Sequence, residues 1–262
     1  MYCVMEESDL LKIKTLGYHV IILFTDFGLE GPYIGQVLAV LHRDAPGMPV
    51  VNLQADAPTG DPLSSAYLLA AYVSVFPKGS VFLCVVDPGV GGTRLPLAVS
   101  ADGMWFVAPD NGLLELVMRR STHVEPFIIT WQPLQLSPSF HGRDLFAPVA
   151  AFLARGKKIQ CRAIERASIA RIDWPNDLPA IIYIDKFGNG VTGLRATALD
   201  MRTTLECCNG SLRWARTFSD VPIGVPFWYE NANGLVEIAV NQGRAVDQLG
   251  FQIGTYVTTL LK

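Results

Sequence analysis

Two continuous apolar runs, Val20 to Phe24 and Val81 to Val86, limit what this chain can fold into. A strand that is apolar on both faces needs cover on both, and these runs are strand-sized and far short of a membrane span. Helical spacing fills the gaps. Gly35 to His42 is a short helical stretch, Val50 to Leu53 a further strand, and Pro62 to Val75 a helical segment with Asp61 as its N-cap. Strands follow at 81–86, 96–100 and 104–108, then helices at Asn111 to Arg119 and Leu145 to Ala154, the last ended by Gly156. The alternation predicts an α/β domain over residues 18–172, a Rossmann-like sheet covered by helices on both faces.

The pattern changes at residues 173–179, a polar link carrying Pro175 and Pro179. Short strands follow at 180–184, 191–197, 211–214, 225–229, 235–240 and 255–261, punctuated by turns at Gly188-Asn189-Gly190, Asn209-Gly210 and Asn233-Gly234. This predicts a smaller all-β, barrel-like domain over 180–262. Two such domains leave a cleft for a small molecule, within one chain or between subunits.

Of 262 residues, half are apolar, and 21 Lys and Arg stand against 24 Asp and Glu, a net charge of -3. No basic run suggests a phosphate-backbone footprint, so no nucleic-acid partner is expected, and no membrane association. Residues 1–17 include Glu6, Glu7 and Asp9 and lack a long apolar core, so they read as an N-terminal extension, with Met5 as another start, and not as a signal peptide. The cysteines at 3, 84, 161, 207 and 208 are odd in number and without metal-type spacing, which suits a cytoplasmic location. Cys84, inside an apolar strand, reads as core filler. The four histidines, at 19, 42, 123 and 141, have no metal-type partners, so no metal is expected.

Polar residues gather where strands end. Val86 runs into Asp87, then a turn with glycines at 89, 91 and 92, then Arg94, so the chain can fold back and bring the guanidinium to the carboxylate. Asp26 closes the first strand, where one carboxylate can accept from both hydroxyls of a ribose. A turn or cap aspartate is the plainer reading of each. The sequence after Asp26 lacks the Gly-x-Gly-x-x-Gly order of a dinucleotide site, and its Asp-Phe-Gly lacks the remaining parts of a kinase. Asp110 or Asn111 reads as a cap for the next helix. His141 stands before the helix at 145–154, with Gly142 permitting close approach and Arg143 and Asp144 able to brace the loop as an ion pair. In the second domain Asp185 and Asn189 flank Phe187; Asn189 can read an adenine edge with donor and acceptor together, or simply turn a hairpin.

Six motifs occur in one order: Thr25-Asp26-Phe27-Gly28 with Gly31-Pro32-Tyr33, then Val86 to Gly91, Pro109-Asp110-Asn111-Gly112, Phe140 to Asp144, Ile184-Asp185 with Phe187-Gly188-Asn189, and Glu237 to Gly243. Over residues 18–262 the chain resembles the S-adenosyl-L-methionine (SAM) hydroxide adenosyltransferases, relatives of enzymes that fluorinate or chlorinate the same substrate. The resemblance implies attack of water or hydroxide at the ribose C5′ of SAM, giving adenosine and methionine without cofactor or metal. It implies catalysis by Asp87, Arg94 and His141. It also assigns the ribose to Asp26 beside Phe27, the adenine edge to Asn189, the ammonium to Asp185, and adenine contacts to Val240, Asn241 and Gln242 next to Glu237. Family members are homotrimers with sites between the α/β domain of one chain and the β domain of its neighbour. The halogenating relatives carry a Tyr-Ser pair where this chain has His141-Gly142, together with an inserted loop absent between Arg94 and Trp105, which favours the water-using branch. Departures from the family pattern fall at Asn52-Leu53-Gln54-Ala55, at Ala232, where the family commonly has a serine near the methionine carboxylate, and at Gly190 and Gly193; none touches the three implied catalytic residues, and together they bear on methionine-end affinity and substrate scope. The rival reading is a non-catalytic adenosine or SAM binding protein, which has no need to keep those three together.

Overall fold

A computed structural model describes residues 20–208 and 210–260, so the expected N-terminal extension and Asn209 of the expected Asn209-Gly210 turn lie outside the described residues. These residues form two compact units, each with a mixed seven-stranded sheet. The first comprises residues 20–60 and Ser74–Ala170; the second comprises Asp61–Val73 and residues 171–260.

In the first unit the strands are β1 (Ile21–Thr25), β2 (Val50–Gln54), β3 (Val81–Val85), β4 (Pro96–Ala101), β5 (Met104–Pro109), β6 (Val124–Ile129) and β7 (Cys161–Ala163), in the order β2-β1-β3-β5-β4-β6-β7. The strands β2, β1, β3 and β5 run parallel, and β1 and β3 are buried throughout, as their unbroken apolar runs require. The rest of the sheet is antiparallel. Asp102 and Gly103 explain the switch: with φ of 46° and 86° they make a tight reversal that lays β4 against β5. Helix α1 (Tyr33–Asp44) buries Ile34, Val37 and Leu41, a single stripe, whereas α4 (Ala147–Ala154) is apolar nearly all round and packs against both α1 and the sheet. Between β5 and β6 lies α3 (Glu115–Arg120). It starts later than the expected Asn111, because Asn111 Oδ1 accepts from Leu113 N and closes a turn first. The expected start of the last helix also shifts: a single π-turn, Gly142–Phe146, leads into α4, with Ala147 N donating to Gly142 O. In this sheet two strands escape sequence pattern, β6 because Pro126 interrupts it and β7 because it is a three-residue exposed edge.

In the second unit the strands are β8 (Leu178–Ile184), β9 (Gly190–Arg195), β10 (Thr204–Cys207), β11 (Gly210–Trp214), β12 (Pro226–Glu230), β13 (Leu235–Val240) and β14 (Val257–Leu260). Their order is β14-β10-β11-β12-β13-β9-β8, and a bridge between Ala180 and Tyr256 brings the two edges together, so the sheet is nearly barrel-shaped. The unit is not all-β. Helix α2 (Pro62–Tyr72) packs on β8 and β9, because Ser64 to Leu69 are buried on every face and need cover all round, and α5 (Ala245–Leu249) follows β13. Asp61 caps α2 as expected, accepting from Ser64 N at 3.1 Å. Trp228 is the largest fully buried side chain, its indole donating to Thr203 O. In the link, Asp177 is gripped by the backbone and guanidinium of Arg195.

Candidate active site

In the first unit, three loops meet at the C-terminal end of the parallel strands. Asp26 follows β1, Asp87 and Arg94 belong to the connection after β3, and His141 immediately precedes the π-turn. Arg94 Nε lies 3.0 and 2.9 Å from the two oxygens of Asp87, Nη2 also donates to Asp87 Oδ2, and Nη2 lies 3.0 Å from His141 Nδ1. The side chains are 11% exposed for Arg94 and 5% for Asp87, so the pair is shielded and its geometry is that of a bidentate fork. A guanidinium has no acceptor; His141 Nδ1 therefore accepts, which places the ring hydrogen on Nε2. Burial first, and Arg94 second, lower the pKa of His141.

A cavity of about 280 Å³ is lined by Asp26, Phe27, Thr59, Gly60, Asp87 and His141, among others. Gly60 N donates to Asp26 Oδ2 at 2.9 Å, while burial outweighs that bond and raises the carboxyl pKa. Phe27, Tyr33 and Phe140 form an aromatic cluster beside it, and Arg143 lies over Phe140. The loop brace expected of Arg143 and Asp144 is present and extends further: Asp144 also accepts from Ser137 N, and Arg143 donates to Gln36. Gly142 allows this crowding, since an ideal Cβ there would lie 2.9 Å from Phe27 Cζ.

The second unit carries a cavity of about 700 Å³ lined by Asp185, Phe187, Asn189, Tyr229, Asn231, Glu237, Val240 and Gln242, among others. Asp185 accepts from Phe187 N and Asn189 N at 2.9 Å each and from Asn189 Nδ2 at 3.1 Å. Glu237 accepts from Tyr229 Oη at 2.5 Å and from Asn231 Nδ2 at 2.9 Å. Burial is the main reason its carboxyl pKa is raised. The Asn189 amide thus donates to Asp185, and among the described residues no hydrogen bond engages its carbonyl oxygen, where the sequence suggested a donor and an acceptor together. Asn241 differs from its neighbours: its amide donates to Val221 O and steadies a turn.

Two family models cover most of the chain, the SAM hydroxide adenosyltransferase N-terminal domain at residues 21–162 and its C-terminal domain at 179–258. The chain belongs to the SAM hydroxide adenosyltransferase family. It is 38% identical to the (R)-S-adenosyl-L-methionine hydrolase of Thermus thermophilus, over 90% of this chain and 97% of that one. It is 24% identical to the fluorinase of an Actinoplanes species, over 92% and 97%. A conserved protein from Thermotoga maritima has a crystal structure with a TM-score of 0.80 and 26% identity, covering 92% of this chain and all of that one.

In this member of the SAM hydroxide adenosyltransferase family, the sequence motifs leave three site residues unmarked. Gly60 reaches Asp26 from 34 positions away, with no local signal. Tyr229 and Asn231 become partners of Glu237 through the β12–β13 hairpin, in which Tyr229 stands directly opposite Glu237. Tyr229 stands on the face of β12 opposite the buried Trp228, together with Phe227, and only register names its partner. Among the described residues, no three His, Cys, Asp or Glu side chains converge as metal ligands.

Proposed function

We propose that this protein hydrolyses SAM: a water held by Asp87, Arg94 and His141 attacks C5′, the C5′–O bond forms as the C5′–S bond breaks, and adenosine, methionine and a proton are the products. The observation that carries the reading is the unbroken hydrogen-bonded chain Asp87–Arg94–His141, two of whose members line the cavity that also holds Asp26. A sulfonium leaves without protonation or Lewis-acid help, so the task is to aim a desolvated oxygen along the C–S bond. Arg94 gives hydrogen bonds only, and His141 with Nδ1 engaged offers Nε2–H as a donor to that oxygen. Asp87 has acceptor capacity left beyond its bonds to Arg94 and takes the proton.

Asp26 beside Phe27 holds the ribose diol in this reading. Asn189 reads the 6-amino group of adenine through its free carbonyl, and Asp185 takes the ammonium. Val240, Asn241 and Gln242 contribute backbone to the adenine pocket. Against the halogenating alternative stands Gly142, where a serine side chain would displace Phe27. The first sheet in its parallel half supports a Rossmann-like description; sequence-contiguous domain limits are proposed at 18–172 and 180–262, with Asp61–Val73 as the segment of the first range that packs in the second unit. Assembly is proposed as a homotrimer in which the α/β domain of one chain and the β domain of its neighbour share each substrate. Cys84, Cys161, Cys207 and Cys208 are free thiols, in keeping with a cytoplasmic location, and no helix among the described residues is long and apolar enough to cross a membrane.

Incubation of the purified protein with SAM, with chromatography of the products, tests the reading. Equal release of adenosine and methionine sustains it. Tight binding without turnover would replace it with the binding-protein reading.

A further inference from the structure

Strands β3 and β4 are consecutive in sequence but not neighbours in the sheet, because β5 lies between them. The connection that carries Asp87 and Arg94 therefore has to cross the C-terminal end of β5. It leaves from Val86, beyond the last β3–β5 pair, Leu83 with Val107, and it returns at Leu95, just before the pair of Pro96 with Pro109. The turn that ends β5 reaches both points. Asn111 Nδ2 donates to Val86 O at 2.7 Å, and Asp110 N donates to Leu95 O at 2.8 Å. One residue before Asp87 and one residue after Arg94 are thus fastened to the same turn. Between them the connection is a glycine-rich double reversal, with Val90 N donating to Asp87 O and Gly92 N to Gly89 O, and such a segment has little side-chain packing to hold it.

We propose that Asn111 is a positioning residue for the hydrolysis proposed above: its amide fixes the 86–87 peptide so that the Asp87 carboxylate meets the Arg94 fork with both oxygens. The inference rests on that functional reading for its kinetic consequence, but not for its geometric one. The plainer role is local, since Asn111 Oδ1 accepts from Leu113 N at 3.2 Å and shapes the turn into α3. Asn111→Asp separates the two roles. An aspartate keeps the acceptor for Leu113 N at nearly the same size and loses the donor to Val86 O, leaving two oxygens facing each other.

The experiment compares wild type with Asn111→Asp in the full chain, by SAM turnover, by adenosine affinity, and by solvent exchange of the Arg94 Nε–H in NMR. A displacement of under an ångström at Asp87 is expected to lower kcat by about 100-fold. KM and the adenosine Kd stay within about threefold, because Asp26 and its bond from Gly60 N lie outside the Asn111 turn and keep their contacts. The Arg94 Nε–H exchanges faster than in wild type. Asn111→Ser, which retains a short turn-favouring acceptor without the reach to Val86, behaves the same way if Asn111→Asp fails to fold. Wild-type kcat and wild-type exchange in the variants overturn the proposal, and so does a parallel loss of kcat and adenosine affinity. Absence of SAM turnover in the wild type overturns the hydrolase reading instead, and the exchange measurement then decides the clamp alone.

Discussion

His141 and Asp26 are displaced from their ordinary titration ranges in opposite directions, and the pH dependence follows from those two signs. His141 has a lowered pKa, so below 6.5 the unfolded chain takes up a proton before the folded one does. Its stabilising contribution is present above 6.5 and is lost as pH falls toward its own lower value. Protonation also destroys the Nδ1 acceptor for Arg94, so the acidic limb of kcat is expected below 6.5; a kcat profile falling at or above 6.5 contradicts it. Asp26 has a raised pKa, so its ionised form, which in the proposed reading accepts from both ribose hydroxyls, is lost earlier on acidification than an ordinary aspartate would be. That loss belongs in KM and not in kcat. At Asn189 the prediction concerns ligand chemistry: a free carbonyl welcomes the 6-amino group of adenosine and opposes the 6-oxo group of inosine. Calorimetry is expected to give inosine a Kd at least about tenfold weaker, from one hydrogen bond lost and one acceptor left facing another.

The glycine-rich connection between β3 and β4 contains glycines of different necessity. Gly91 has φ of +77°, and an ideal Cβ would lie 2.6 Å from Pro138 O, so a side chain is opposed both by its own backbone and by the neighbouring segment. Gly89 meets only Arg94 Cδ and Asp87 Oδ1 at 3.9 Å, ordinary contact distance. Gly91→Ala is therefore expected to destabilise the fold by about 1–3 kcal/mol, while Gly89→Ala shifts it by well under about 1 kcal/mol. Thermal melts of the two variants check this, and equal melting temperatures would refute it. The π-turn at 142–146 works differently: Asp144, held by Arg143 and by Ser137 N, anchors the turn whose first residue follows His141. Sequence pattern shows a helix there, because Leu145 to Ala154 is a helix-length apolar run ended by Gly156, but not the wider first turn that sets the histidine.

At the scale of the whole molecule, the chemistry asked of the protein is delivery of an oxygen nucleophile, with the leaving group already activated in the substrate. Catalysis is accordingly expected to survive exhaustive treatment with a chelator, with turnover unchanged within about twofold, since neither the nucleophile nor the sulfonium needs a Lewis acid in the proposed step. Loss of activity on chelation, restored by a divalent cation, would require a different mechanism. Each unit also solves its own burial problem. The first hides α4 between α1 and the sheet, and the second wraps its strands around Trp228.

The amino-acid sequence by itself determined where apolar runs stop and carboxylates begin. Strand-length runs such as 21–25 and 81–85 carry their burial in composition, and Asp26 and Asp87 stand at their ends by covalent continuity alone. It also determined the motif order that points to the family, and the two-part division into alternating and strand-rich halves. Tertiary structure decided everything that depends on contact between distant segments. The partner of Asp87 is seven residues away and was within reach of reasoning; the partner of Arg94 is 47 residues away, and the residue that fastens Val86 is 25 away. Helix α2 packs on β8 and β9, more than a hundred positions further along, because its all-round apolar surface has no preferred face that sequence could name. Chain connectivity constrains neighbours strongly and remote pairs hardly at all, so local geometry was legible in the sequence, whereas partners across the sheet required the register to be known.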